Sequence, residues 1–78
     1  MKIKYDPRHN IAYVYLLEKR AEVQTVQVSD EMNVDLAPDG TIYGIELLNA
    51  NEQLAGVLPG KVVIENEATG EVAEIGLP

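Results

Sequence analysis

Residues 32–50 read MNVDLAPDGTIYGIELLNA, and this stretch decides the fold class. Apolar and polar residues alternate from Met32 to Ala37, which is typical of a β-strand with one buried face. The segment Pro38-Asp39-Gly40 then predicts a tight turn, because glycine adopts the positive φ that such turns require. A second β-rich run, residues 41–48, follows the turn. The stretch therefore predicts a β-hairpin.

The flanking sequence predicts further strands on both sides of this hairpin. Residues 2–5 alternate polar and apolar side chains, and residues 11–17 and 23–28 are rich in β-branched or aromatic residues. Near the C-terminus, residues 61–65 and 71–75 flank a turn that contains glycine, which predicts a second hairpin.

A short helix is predicted between the two hairpins. Asn49 is a suitable N-cap, and Glu52 stands three residues later, where a capping-box glutamate reaches back. Residues 50–55 would form about one and a half helical turns, with Gly56 as the residue after the helix. Helices this short depend on tertiary packing, so Leu54 is expected to face the sheet.

Together these elements predict an α+β fold that is mostly β: an antiparallel β-meander, one short helix and a C-terminal β-hairpin. Seventy-eight residues predict one small domain over 1–78. Within it, residues 1–56 would hold the meander and the helix, and residues 61–75 the C-terminal hairpin. The core must be built from Val, Ile, Leu and Ala with four tyrosines at its margin, because Cys, Trp and Phe are absent.

Four blocks carry a family resemblance: IKYDP at 3–7, AYVYL at 12–16, VDLAPDG at 34–40 and YGIELLNA at 43–50. Through these blocks, residues 2–55 resemble the prokaryotic domain of unknown function 2283 family. The resemblance implies the fold and a non-enzymatic role, and it carries over no catalytic residue. The chain departs from the family pattern at Asn10 and Asn49, where members typically have acidic residues.

Charge is unevenly distributed along the chain, whose formal net charge is −7. Residues 1–20 hold five basic and two acidic side chains, whereas residues 21–78 hold one lysine and eleven carboxylates. The acidic excess argues against nucleic-acid binding, which requires neutralisation of phosphates.

The sequence also argues against a membrane segment. The longest apolar run, residues 11–17, is far too short to span a bilayer, and the first residues lack the apolar segment of a secretory signal. The absence of Cys fits a reducing compartment. A cytoplasmic location is therefore expected.

Asp35, Asp39 and Glu46 are the candidates for metal or ligand chemistry, because carboxylate oxygens suit Mg²⁺ or Ca²⁺. The competing interpretation is that Asp39 forms the turn while Asp35 and Glu46 are solvent-facing strand residues. His9 and Ser29 are the sole residues of their types and lie on turns far apart in sequence, which argues against a catalytic triad. The sequence thus predicts no catalytic residue, cofactor or metal, with an enzyme built on the three carboxylates as the alternative.

The C-terminal hairpin is the candidate interaction surface. Its apolar members are Val62, Ile64, Val72 and Ile75, and its acidic members are Glu65, Glu67, Glu71 and Glu74. An apolar share of 46% is high for so small a chain, so we expect a homodimer or larger oligomer in which this hairpin packs on its copy. The acidic side chains predict a basic protein partner.

Each of these two expectations has a competing interpretation. Against the dimer, the short helix would cover the second face of the sheet within one chain. Against the basic partner, the charges would only maintain solubility. The function predicted is a non-enzymatic, homo-oligomeric protein-interaction module.

Overall fold

The computed structural model describes residues 1–18, 22–57 and 60–77. In this part of the chain the elements are β1 (Lys2–Asp6), β2 (Ile11–Tyr15), β3 (Gln24–Ser29), β4 (Met32–Leu36), β5 (Ile42–Leu48), α1 (Ala50–Gln53), β6 (Gly60–Glu65) and β7 (Val72–Leu77). The predicted fold class is confirmed, with an antiparallel five-stranded sheet, one short helix and a C-terminal hairpin. No helix among these elements is long and apolar enough to cross a membrane.

The strand order of the large sheet is β1-β2-β5-β4-β3, and β6 pairs with β7 in a separate two-stranded sheet. Strands β3, β4 and β5 are consecutive neighbours, as in a meander. However, β2 pairs with β5 instead of β3, so the chain crosses from β2 to the far edge of the sheet. As a result β5 is the central strand, and β1 and β3 are the two edges.

The register aligns one apolar residue from each strand of the large sheet. Ile3 pairs with Val14, Val14 pairs with Ile45, Ile45 pairs with Val34, and Val34 pairs with Val26. Directly opposed residues project their side chains from the same face of an antiparallel sheet. These five residues therefore form one line across the whole sheet, which we call the apolar row.

The buried core lies beside the apolar row, where α1 packs on the same face. It consists of Ala12, Leu47 and Ala50, with Met32, Ile45 and Leu54 packed against them. Ala12 and Ala50 are 0% exposed, so α1 touches the sheet closely at this point. The expected contact of Leu54 with the sheet is confirmed. A helix of four residues is only about 6 Å long, and it covers a small part of the face.

The predicted turn between β4 and β5 is confirmed. Gly40 has a φ of +88°, and its N–H donates to the carbonyl of Ala37 at 2.9 Å. Ala37 N–H in turn donates to the carbonyl of Thr41 at 2.8 Å. The carboxylate of Asp39 accepts hydrogen bonds from the backbone N–H and the hydroxyl of Thr41 at 3.0 and 2.7 Å, so Asp39 stabilises the turn.

Asn49 is the N-cap residue of α1, as predicted, but the predicted capping box is wrong, because the first N–H groups of the helix are bonded from another element. Asn49 adopts a left-handed conformation with φ 51° and makes no side-chain cap hydrogen bond. Instead, Asn10 in the β1–β2 turn accepts from the N–H of Ala50 through its carbonyl at 3.0 Å. The Asn10 side-chain oxygen accepts from the N–H of Asn51 at 2.8 Å. A residue 41 positions away therefore supplies the cap.

The C-terminal end of α1 also differs from the prediction. The helix ends at Gln53, with Leu54 as the C-cap, and Gly56 is not among the glycines with positive φ. The Gln53 side chain donates to the carbonyls of Glu31 and Leu48 at 2.8 and 2.6 Å. These contacts tie α1 to the β3–β4 turn and to the end of β5, so both ends of the helix are fixed to the sheet.

We expect Asn10→Gly to lower the free energy of unfolding by about 1 kcal/mol, the usual contribution of one hydrogen bond. Glycine keeps the left-handed backbone that Asn10 adopts at φ 56° but cannot accept the hydrogen bond from Asn51. Asn10→Ala should cost more, because alanine is also strained at positive φ. Urea denaturation followed by circular dichroism measures both changes, with Arg8→Ala in the same turn as control. Equal stability of Asn10→Gly and the wild type would contradict the long-range cap.

Candidate functional site

The structure does not bring Asp35, Asp39 and Glu46 together as a metal site. The half-buried carboxylate of Asp35 accepts hydrogen bonds from the Tyr13 hydroxyl at 2.5 Å and the Thr25 hydroxyl at 2.6 Å. Glu46 accepts one from the Asn33 side-chain amide at 2.9 Å. Within the described ranges, no three His, Cys, Asp or Glu side chains are grouped so that they could hold a metal ion.

Three tyrosines pack together on the face opposite the apolar row. The ring centroids of Tyr13 and Tyr15 are 4.5 Å apart, and the Tyr43 centroid lies 6.4 and 6.1 Å from them. A Cβ at Gly44 would lie 2.7 Å from the Cζ atom of Tyr13, so glycine is needed for the ring to cross the strand. Burial, assisted by the hydrogen bond to Asp35, raises the pKa of the Tyr13 phenol well above its ordinary value.

His9 and Ser29 do not form part of a catalytic triad. The His9 Nδ1 atom lies 2.7 Å from a carboxylate oxygen of Asp6, and this contact lowers the pKa of Asp6. Ser29 accepts a hydrogen bond from the N–H of Glu31 at 3.2 Å. The strands that lead to these turns are opposite edges of the sheet, separated by four strand spacings or roughly 19 Å.

The predicted apolar residues of the C-terminal hairpin divide between its two faces. Val62 pairs with Ile75 and Ile64 pairs with Ala73, so these four side chains share one face, which we call the hairpin apolar face. Val72 lies on the other face. Ile64 and Ile75 are 52% and 51% exposed. The hairpin therefore presents a continuous apolar surface to solvent.

The predicted acidic residues lie away from the hairpin apolar face. Glu65 and Glu74 share the other, mixed face of the hairpin, where Glu74 pairs with Lys61 at 3.3 Å. Glu67 and Glu71 lie in the segment that joins β6 to β7, and all four carboxylates are exposed. The hairpin is thus amphipathic, and its apolar face carries no charge.

The apolar row of the sheet is the second apolar surface, and it was not predicted from the sequence. Val26 is 40% exposed, and the other four members of the row are only half-buried. Of this face, α1 covers the part around Ala12 and Leu47. Each strand shows the required alternation, but the row is assembled only by the strand order and register.

Backbone contacts join the start of the hairpin to the residues that follow α1. Val57 forms an isolated bridge with Gly60, and the N–H of Lys61 donates to the carbonyl of Gly56 at 3.4 Å. The N–H of Val57 donates to the carbonyl of Leu54 at 2.8 Å. These contacts fix the start of β6 against the end of α1. Both apolar surfaces remain exposed in this arrangement.

Comparison with known proteins gives one match. A family model described as a protein of unknown function (DUF2283) matches residues 2–51, which confirms the resemblance over the large sheet and the start of α1. The C-terminal hairpin lies outside the matched range. Searches of the curated proteins and of the solved structures find no match.

We expect Tyr13→Phe to make stability less sensitive to alkaline pH. The pKa of Tyr13 in the fold lies above its ordinary value of 10.0, so the unfolded state loses this proton first. Folding stability that is fully present below about pH 10 therefore declines as the pH rises beyond that value. Phenylalanine has no such proton, and the decline in melting temperature between about pH 9.5 and pH 11 should be shallower.

The same variant should be less stable at neutral pH by about 1–2 kcal/mol, because Asp35 loses a hydrogen-bond donor. Tyr5→Phe is the matched control, since Tyr5 is an exposed tyrosine of the edge strand β1. Identical pH slopes for Tyr13→Phe and the wild type would contradict this account of the Tyr13–Asp35 pair.

Proposed function

Because the chain belongs to the DUF2283 family, which is described only as being of unknown function, we propose its role from its surfaces: it is a non-enzymatic, homo-oligomeric protein-interaction module. The observation that supports this proposal most is the apolar row. It crosses all five strands, and the four-residue helix beside it covers a small part of the face. Contiguous exposed apolar surface of this kind marks interaction sites.

The proposed occupant of the apolar row is the hairpin apolar face of a second copy. In a two-fold dimer each hairpin would pack on the other chain's sheet, so one contact is made twice. Each Val or Ile removed from water contributes about 1.5–3 kcal/mol, against an association cost of about 4–15 kcal/mol. Several such side chains on each of two contacts are sufficient to favour the dimer.

The placement of charge supports burial of the hairpin apolar face. Glu65 and Glu74 lie on the opposite face, so packing the apolar face removes no carboxylate from water. Burial of an unpaired charge would be costly. The acidic mixed face and the joining segment would remain at the surface of the dimer. We propose that they attract a basic protein partner, because opposite potentials accelerate encounter.

A cytoplasmic location is part of the same proposal. The sequence contains no Cys, and the compact core therefore gains no stability from disulfides that an oxidising compartment would supply.

We expect the wild type to have a solution mass of about twice the 8.6 kDa chain, measured by light scattering at micromolar concentration. Ile64→Lys should give the monomer mass, because it places a charge in the proposed contact. Val63→Lys is the matched control: Val63 is the preceding residue, is 49% exposed against 52% for Ile64, and lies on the mixed face. It should leave the mass unchanged.

Two results would contradict the proposed dimer. One is a clean monomer mass for the wild type. The other is equal loss of the dimer in both lysine variants, which would show that the hairpin apolar face has no special part in the contact.

We also expect divalent cations to leave the melting temperature unchanged, which separates the proposal from an enzyme that uses Asp35, Asp39 and Glu46. The Asp35 and Glu46 carboxylates are already hydrogen-bonded to neighbouring side chains. A ligand that binds only the folded state raises stability. Melting curves in Mg²⁺, Ca²⁺, Zn²⁺ and excess chelator should therefore coincide. A cation-dependent rise that disappears in Asp35→Asn would favour the enzyme.

A further inference from the structure

The two edges of the large sheet differ in their chemistry. The outer strand β1 carries the charged residues Lys2, Lys4 and Asp6 and is followed by Pro7. The opposite edge, β3, reads QTVQVS and has no charged residue, proline or glycine. Charges and prolines are the usual means by which proteins prevent a sheet edge from pairing with another chain. One edge of this sheet is protected in that way, and the other is not.

Strand β3 is well placed to accept another strand. All six of its residues are exposed, and among the described residues it pairs only with β4. The backbone N–H and C=O groups on its outer side are therefore available. A bulge between Gln27 and Ser29 interrupts the regular pairing, so the usable edge is centred on residues 24–27.

Contacts with β4 fix the position of the β3 edge. The Thr25 hydroxyl donates to Asp35 at 2.6 Å, and Val26 lies directly opposite Val34 at the end of the apolar row. An edge that is already ordered loses little conformational freedom when a strand is added, which favours binding.

We propose that β3 is a docking edge for an extended segment of a partner protein, which adds to the sheet as a sixth strand. Main-chain hydrogen bonds supply affinity in this mode of recognition, and alternate side chains supply specificity. This docking edge is separate from the proposed dimer contact, because the partner segment pairs with the edge of the sheet and not with its apolar face.

The residues around β3 define the chemistry of the partner segment. Opposite Val26 we expect a β-branched apolar residue, because it would extend the apolar row by one strand. Opposite Thr25 and Gln27 polar residues fit. Three exposed carboxylates flank the strand, namely Glu22, Asp30 and Glu31. The partner segment therefore alternates apolar and polar side chains and carries Lys or Arg at its ends.

The same flanking charges disfavour two-fold pairing of β3 with itself. Antiparallel pairing centred on Val26 would set Glu22 of one chain opposite Asp30 of the other. Like charges directly opposite one another destabilise a strand pair. A basic segment from another protein meets no such repulsion.

The test uses a synthetic ten-residue peptide in which Val and Thr alternate and lysines stand at both ends. It is titrated into the isotope-labelled full-length protein and followed by NMR. We expect chemical-shift changes and slowed amide exchange concentrated in residues 24–27, with β1 unaffected as an internal control. Two further peptides carry N-methyl groups on alternate residues, which removes the N–H donors along one edge of the peptide strand. One peptide is methylated along the edge that faces β3, and the other along the opposite edge. The version methylated on the edge that faces β3 should bind at least roughly tenfold more weakly, and the other should bind like the parent peptide.

Charge is tested on the protein. The triple variant Glu22→Gln, Asp30→Asn, Glu31→Gln should bind the parent peptide roughly fivefold more weakly. The matched control Glu65→Gln, Glu67→Gln, Glu71→Gln removes the same number of carboxylates from the hairpin and should bind like the wild type.

Three outcomes would overturn the proposal: no binding at about 1 mM peptide, equal binding by both N-methylated peptides, or shift changes centred on β1 or on the members of the apolar row outside β3. A fourth is self-association of the protein alone that Lys2→Glu with Lys4→Glu abolishes, which would assign the β3 edge to β1 of another copy.

Discussion

A helix of four residues cannot cover a sheet of five strands, and the properties of this protein follow from that mismatch. The position of α1 is fixed at both ends, by Asn10 at its N-terminus and by the Gln53 side chain at its C-terminus. It seals Ala12 and Leu47 from solvent and leaves the apolar row beside it open. A chain that keeps such a surface must either tolerate it or bury it against another molecule, and the hairpin apolar face offers a surface of matching chemistry.

On the opposite face of the sheet, hydrogen bonds between strands engage the carboxylate of Asp35. Asp35 is engaged by Tyr13 and Thr25 from the strands on either side of the β4–β5 pair, and the tyrosine reaches it by crossing the bare backbone of Gly44. These contacts hold β2 and β3 in register with the central strands. These hydrogen bonds of the tyrosine face thus support the architecture of the sheet.

The parts of the fold that were predictable depend on local chemistry. Apolar and polar side chains alternate from residue 32 to residue 37, and this short pattern correctly predicts β4. The turn at Gly40 is likewise encoded within a few residues and is present. The strand order depends on contacts between distant parts of the chain, and no pattern in residues 11–28 predicts that β2 pairs with β5. The N-cap position at Asn49 is local and was predicted, but the capping hydrogen bonds were mispredicted, because Asn10 supplies them from across the fold. Likewise, three consecutive apolar residues in β6 suggest two apolar faces, and only the pairing with β7 shows that Val63 sits among charged residues.

The central claim is that the hairpin apolar face of one copy packs on the apolar row of another. The most direct measurement is an isotope-filtered NMR experiment on a mixed sample of labelled and unlabelled chains, which detects contacts between molecules only. The account predicts intermolecular nuclear Overhauser effects from the methyl groups of Ile64 and Ile75 to those of Val34 and Ile45. Their absence from a sample whose mass is that of a dimer would contradict it.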